Sequence, residues 1–492
     1  MGFIKFMLRA QKLLINLCNF LGFAMEKPRS EILAFVSVLL LMSLNSCHGQ
    51  KIAQCVGQDR VALLAFKAGI VEDPSGALKS WTGNDCCKWK GVSCDNNGGR
   101  VVSLILDGDP MGAGNTSVYM SGSISESIGN LSYLRTFTLM RWKNIGGIIP
   151  ASISRLSALN HLTLDNNKLT GSIPSDIGQL LSLQSLSLTG NLIAGPIPES
   201  IGNLRNLTSL YLDSNRLSGF IPSSIGNLRL LSVLTMNNNT LSGPLPDSMG
   251  NLKQLTTLHI QNNLLTGKIP SSLGNMSMLA ELLASNNRLS GSIPESLGLL
   301  SANFYKLALD QNLLTGSIPP SLTKLTSLIT IDLSQNKLTG NIPCIPHSSQ
   351  LQALFLNKNS LSGDIPDCLG NHPKLHSLQL SFNNFAGQLP NSFGGNSSLD
   401  FLHISNNKLT GSIPESLGDM PNLEFLDLSN NQLKGTIPEK MVQLKGLSEL
   451  NLSFNRLCGM IPRGEPLDSF PASTYSHNAC LCGSPLPPCR SA

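Results

Sequence analysis

Few residues in this chain could do chemistry, and their spacing limits what that chemistry can be. Asp310 and Asp332 stand 22 residues apart, and on neighbouring turns of a periodic fold two carboxylates can serve a glycosidase as acid and nucleophile. Asp213, Glu281 and Asp427 extend the acidic set, which could meet a basic protein or hydrogen-bond a sugar. Catalysis also needs a pocket that excludes water and shifts a pKa, and nothing in the pattern implies one; the eight histidines are scattered. The expectation is therefore no enzyme. His372 and His376 have the spacing of a helical metal pair, but Pro373 lies between them and argues for a surface loop. No metal and no cofactor are expected.

Cysteines cluster before and after a long middle region: Cys55, Cys86, Cys87 and Cys94, then Cys458, Cys480, Cys482 and Cys489. These read as disulfide caps rather than zinc sites, because no histidine completes a ligand spacing. Four cysteines leave three pairings open in each cluster. Cys344 and Cys368 are so spaced that a bond is permitted, with buried free thiols as the default expectation.

The element that must position all of these is a repeat. An asparagine stands seven residues before an Ile-Pro or Leu-Pro proline thirteen times in succession, from Asn167 with Pro174 to Asn455 with Pro462. The step is 24 residues, with one 25 and one 23, and such a period means a solenoid of stacked units. In the unit from Leu159 to Leu180, two-residue alternation sends Leu159, Leu162, Leu164, Leu169, Ile173, Ile177 and Leu180 inward. No single unit can hide seven apolar side chains, so each is stabilised by its neighbours. Asn167 interrupts the apolar pattern at an inward position, and a buried amide needs its donors and acceptor paired, so the asparagines are expected to form a hydrogen-bonded spine. Gly171 permits a turn angle that other residues resist, and Pro174 removes an N–H where the chain leaves the second extended segment.

The pattern Leu-x-x-Leu-x-Leu-x-x-Asn-x-Leu-x-Gly-x-Ile-Pro over residues 101 to 465 resembles the plant-type extracellular leucine-rich repeat. That resemblance implies an α/β solenoid: a right-handed superhelix with a concave parallel β-sheet, short 3₁₀ or irregular convex segments, a second short sheet and disulfide-capped ends. Some fourteen turns at about 4.8 Å give an arc of about 65–70 Å. The segments 59–94 with Trp81 and Trp89, the insertion ending Tyr119-Met120-Ser121, the irregular Leu139 to Pro150 repeat with Trp142, and the tail Asn478 to Leu486 resemble secreted proteins of the DNA-damage-repair/toleration type, related to polygalacturonase inhibitors. The family's caps imply the pairings Cys55 with Cys86, Cys87 with Cys94, Cys458 with Cys480, and Cys482 with Cys489. Asp59 is expected to cap a helix whose Leu63, Phe66 and Ile70 face the first repeat.

Four regions follow: 1–49, a leader with a signal peptide in which Met25 is a candidate true start; 50–100, an N-terminal cysteine cap; 101–457, the repeats; and 458–492, a C-terminal cysteine cap. The apolar stretch Ile32 to Leu44 behind Lys27 and Arg29 has signal-peptide form and is too short for a membrane span. Removing residues 1–49 takes away five positive charges (Lys5, Arg9, Lys12, Lys27, Arg29) and two negative ones (Glu26, Glu31), so +5 becomes +2 and nucleic acid is not implied. After Cys489 no apolar stretch, lipid-anchor tail or kinase follows, and no membrane span is expected. A secreted, cell-wall location makes the sequons at Asn115, Asn130, Asn206, Asn238, Asn275, Asn396 and Asn451 usable for glycosylation.

Outward residues of successive strands line up in columns and form the expected binding face. Its candidate residues are Tyr211, His259, Asp310, Asp332, Phe355, Phe382, Phe401, His403, Phe425, Asp427 and Phe454. The five phenylalanines, with His403, are expected to make one exposed apolar patch toward the carboxyl end. The functional expectation is a non-catalytic recognition protein in plant defence or development, binding an extracellular protein, peptide or wall polysaccharide, with a membrane receptor kinase as a further candidate partner. Inhibition of a microbial polygalacturonase is the narrower alternative, and a wall scaffold or ice-binding surface the alternative of a different class.

Overall fold

The computed structural model describes residues 54–109, 119–346, 349–370 and 372–489. The expected leader and the Asn115 sequon lie outside these residues. Within them the chain winds into a solenoid whose spine is one 16-stranded sheet. Its first strand, Val92–Cys94, is antiparallel to Val101–Asp107, and every later pairing is parallel. Register is set by the repeat length: Ser209, Leu210 and Tyr211 face Val233, Leu234 and Thr235, and these face Thr257, Leu258 and His259. The middle residue of each triplet is apolar and buried, so the inward positions stack into one core running the length of the molecule. All seven side chains assigned inward in the unit Leu159 to Leu180 are buried.

The asparagine spine forms. Asn263 donates through Nδ2 to the carbonyls of Met236 (3.0 Å) in the preceding turn and of Ile260 (3.1 Å) in its own. Its Oδ1 accepts from the Leu241 N–H at 3.0 Å. The same two-turn clasp recurs from Asn167 through Asn455. Asn478 adds a further rung, donating to Leu452 and accepting from Leu457 N–H. Beyond the strands the chain makes short second sheets, such as Ala194–Gly195, Arg216–Gly219, Thr240–Pro244 and Leu264–Thr266, and then 3₁₀ turns such as Ser223–Asn227 and Asp247–Asn251, each entered from a proline. These turns pack so closely that a Cβ on Gly226 would lie 2.3 Å from the Ser248 carbonyl oxygen, which explains glycine there.

Both ends are covered. The helix Gly57–Ala68 buries Leu63 and Phe66, and Phe66 lies 6.1 Å from Trp81 and 6.3 Å from Phe137 between ring centroids. Asp59 is not the N-cap, which is Val56; it sits buried in the first turn. There its two oxygens take a forked bond from Arg100 (3.0 and 2.9 Å), and one also accepts from Val101 N–H (2.8 Å), which ties the helix to the first long strand. Ile70 lies past the helix, in the strand Ile70–Glu72, because the helix ends at Ala68. The end cysteines pair as Cys55–Cys86, Cys87–Cys94, Cys458–Cys480 and Cys482–Cys489. Cys344 and Cys368 also form a disulfide, with Cα atoms 5.9 Å apart, and are respectively exposed and half-buried, so the expectation of buried free thiols is corrected. His372 is likewise not on a surface loop: it is buried and bonded to the Ser349 hydroxyl at 2.8 Å, while His376 is exposed. No helix among the described residues is long and apolar enough to cross a membrane.

Candidate functional site: the outward face of the long sheet

Because from His161–Thr163 onward each strand of the long sheet contributes three residues and the middle one is buried, the two flanking residues of these turns point away from the core. A third outward position follows each strand, just before a residue of left-handed backbone that turns the chain into the spine asparagine. Asn166, Asn238, Asn262, Asn286, Asn406 and Asn430 occupy that turn with φ near 50–57°. Asparagine tolerates this region better than most residues. Phe382 (φ 57°) and Phe454 (φ 53°) hold the same position in their turns, and about half of each ring is exposed (49% and 48%).

The expected five-phenylalanine patch divides. Phe401 and Phe425, in register on adjacent strands, stack with centroids 4.1 Å apart and planes at 9°. His403 meets Phe425 edge-on at 5.6 Å. Phe454 instead stacks on His477 of the next turn at 3.9 Å, Phe355 lies in register with Asp332 and Gln379, and Phe382 stands at its strand end. Sequence columns give the alignment of these residues but not the direction of each ring, which is why the grouping differs.

Polar side chains on the face are mostly engaged with one another. His259 Nε2 bonds Glu281 at 2.8 Å. His403 Nε2 lies 3.3 Å from Asp427 Oδ2 and 2.8 Å from the Ser405 hydroxyl. Asp427 also accepts from Ser429 N–H at 2.9 Å. Burial pushes its carboxyl up, but the bonds from His403 and Ser429 outweigh this and hold it below the ordinary carboxylate value. Asp310 accepts from the hydroxyl of Ser285, and Asp332 from Ser334 N–H at 3.0 Å. Burial raises the Asp332 carboxyl, with the nearby Asp310 charge adding to it. This pair lies on the open sheet face. Tyr211 is half-buried between Ser187 and Thr235.

A groove of about 200 Å³ opens beside the aromatic pair, lined by Phe425, Leu426, Asp427, Glu449, Leu450 and Asn451. Glu449 is exposed and in register with Phe425, and Asn451 with Asp427. Asn451 holds its Oδ1 against Ser453 N–H (3.1 Å) and hydroxyl (2.7 Å). Glu449 was among the outward residues readable from the repeat, but nothing in its type marks it out; only the groove does. Asp165 is a second residue that sequence spacing does not single out. Burial raises its carboxyl, which accepts from Ser187 and Thr189.

Of the sequons, Asn130, Asn206, Asn238 and Asn275 are exposed and Asn451 is half-buried. Asn396 is 1% exposed: its Oδ1 accepts from Ser398 and Leu399 N–H, and its amide nitrogen is enclosed without a partner.

Residues 56–95 match the leucine rich repeat N-terminal domain, 199–385 a leucine-rich repeat region, and 158–180, 182–204, 373–433 and 397–457 leucine rich repeat models. The chain is 36% identical to the DNA damage-repair/toleration protein DRT100 of Arabidopsis thaliana over 30% of its own length and 38% of that protein's. It is 30% identical to a polygalacturonase inhibitor of Vitis vinifera over 28% of its length and 39% of the inhibitor's. The aligned stretch thus spans well under half of either relative. Among solved structures, PEPR1-AtPEP1 is 30% identical with a TM-score of 0.57, covering 83% of this chain and 67% of that one.

Proposed function

We propose that this chain, which belongs to the leucine-rich-repeat family, is an exported, non-catalytic recognition protein that binds an extended peptide or protein segment along the outward face of its long sheet. The observation that carries this reading is the groove at Phe425, Asp427, Glu449 and Asn451, flanked by the stacked Phe401 and Phe425 rings. Exposed aromatic surface beside fixed polar groups is the composition of binding hot spots, and an open sheet does not exclude water as an active site must. A peptide lying across parallel strands can touch every turn, so affinity accumulates from many small contacts. The complex of PEPR1 with AtPEP1 carries a related solenoid. Export accords with five disulfides among the described residues, since such bonds persist in oxidising compartments.

Affinity capture from apoplastic fluid, with wild type beside a Phe401→Ala, Phe425→Ala double variant, tests the reading. A protein or peptide held by wild type and lost with the variant supports it; capture unchanged by the variant places the binding surface elsewhere. A second reading, inhibition of a microbial polygalacturonase, is favoured by the identity to the Vitis vinifera inhibitor. Pectin hydrolysis undiminished by an excess of the purified protein, across a panel of such enzymes, removes it.

A further inference from the structure

We infer that the groove between the strands Phe425–Asp427 and Glu449–Asn451 is a socket for the guanidinium of an arginine carried by that extended peptide. The inference rests on the reading of the face as a peptide-binding surface and names the side chain the groove selects. Phe401 takes one face of the Phe425 ring at 4.1 Å, on the side of the preceding strand. The opposite side of Phe425 looks toward the next strand, where the groove lies and Glu449 stands in register. An aromatic face attracts a cation, and a planar guanidinium both stacks on it and forks onto a carboxylate.

Two carboxylates border the space. Asp427 is half-buried and keeps its charge because His403 and Ser429 hydrogen-bond it. Glu449 is exposed; its backbone N–H bonds the Glu424 carbonyl at 3.1 Å, but its carboxylate makes no ion pair or hydrogen bond among the described residues. The groove is therefore anionic, with one acid already oriented and the other free to close on an incoming donor. Asn451 has its oxygen held by Ser453, which leaves its amide N–H groups for a peptide carbonyl, and the socket requires this sequon to be without a glycan. A volume of about 200 Å³ admits a guanidinium with its adjoining methylenes. Sugar hydroxyls would be better served by a mixture of donors and acceptors than by two acids against a phenyl ring.

The test is selection of random peptides, displayed on phage, against the immobilised full chain, followed by titration of the selected synthetic peptides. Peptides that carry a shared arginine, and lose about tenfold or more in affinity when it is replaced by citrulline, support the inference. So does a loss of similar size with Glu449→Gln, an exposed substitution that leaves the core untouched; Phe425→Leu is expected to weaken binding to a comparable degree. Selected peptides without a shared arginine, or binding Glu449→Gln as well as wild type, overturn the inference while leaving the peptide-binding reading in place. Failure to select any peptide overturns that reading and the inference with it.

Discussion

Replacing Asn263 with leucine keeps a side chain of similar volume and removes its polar atoms, so Leu241 N–H loses its acceptor where water does not reach, while the Met236 and Ile260 carbonyls keep the bonds they accept from Asn239 and Asn287. An orphaned buried group costs about 1–3 kcal/mol, and Asn263→Leu is expected to lower stability by about that much, read by urea unfolding followed by circular dichroism. A change below about 0.5 kcal/mol would show that the clasp is dispensable. The spine is legible in the sequence because asparagine recurs where the inward pattern calls for leucine. Asn478 is not, because Cys480 and Cys482 take the Leu and Gly positions of the pattern and Ser484 stands before Pro485 in place of isoleucine. Asp213 carries a second residue-scale consequence. Burial raises its carboxyl more than the bonds from Thr235 and Asn237 N–H lower it. Between the ordinary carboxylate value and the raised one the native chain binds more protons than the unfolded chain. This group's contribution is therefore fully present below the ordinary value and is lost as pH rises through the native one. Asp213→Asn keeps an acceptor for Asn237 N–H and removes the buried charge. Its melting temperature should exceed that of wild type near neutral pH, with the gap closing at about pH 3. A lower melting temperature at neutral pH would contradict this.

At the scale of an element, the N-terminal helix is joined to the sheet chiefly through one carboxylate. Leu63 and Phe66 supply its apolar face, but Asp59 fixes its position by binding Arg100 and Val101 together. Asp59→Ala leaves a half-buried guanidinium and a backbone N–H without their acceptor, and is expected to cost about 2–4 kcal/mol. Hydrogen exchange should report the loss first in residues 57–68 and 101–107, and equal protection in wild type and variant would refute the anchoring role. The helix itself is readable from the spacing of Leu63 and Phe66, whereas the role of Asp59 is not, since Arg100 is 41 residues away in sequence. The aromatic group on the sheet divides in the same way. The repeat length puts Phe401, Phe425 and Glu449 in one row, but Phe454 leaves the patch for His477, which holds the same left-handed position one turn on, before Asn478.

For the whole molecule, the repeat makes length a free variable, because every inter-turn contact is nearly the same contact made again. Excising residues 240–263 joins Asn239 to Leu264, so the asparagine still stands seven residues before Pro270, and each lost inward side chain is replaced by its equivalent from the next turn. The turns on either side then meet in the register already used between Thr235 and His259. This shortened chain is expected to fold, to keep the five disulfides and to lose one strand, or about 4.8 Å of arc. Excising only residues 240–251 sets the sequence of a 3₁₀ turn against a strand, turns polar side chains inward, and is expected to yield no cooperative unfolding transition. Circular dichroism melts and disulfide mapping of the two deletions distinguish a core built by translation from one that depends on particular pairs of turns. An unfolded 24-residue deletion would show that individual turns are specified against their own neighbours. Folding of the full-unit deletion also separates reading from support: the groove at Phe425 and Glu449 lies seven strands beyond the excision, so a ligand confined to that groove should bind the shortened chain unchanged, while one that spans the face should not.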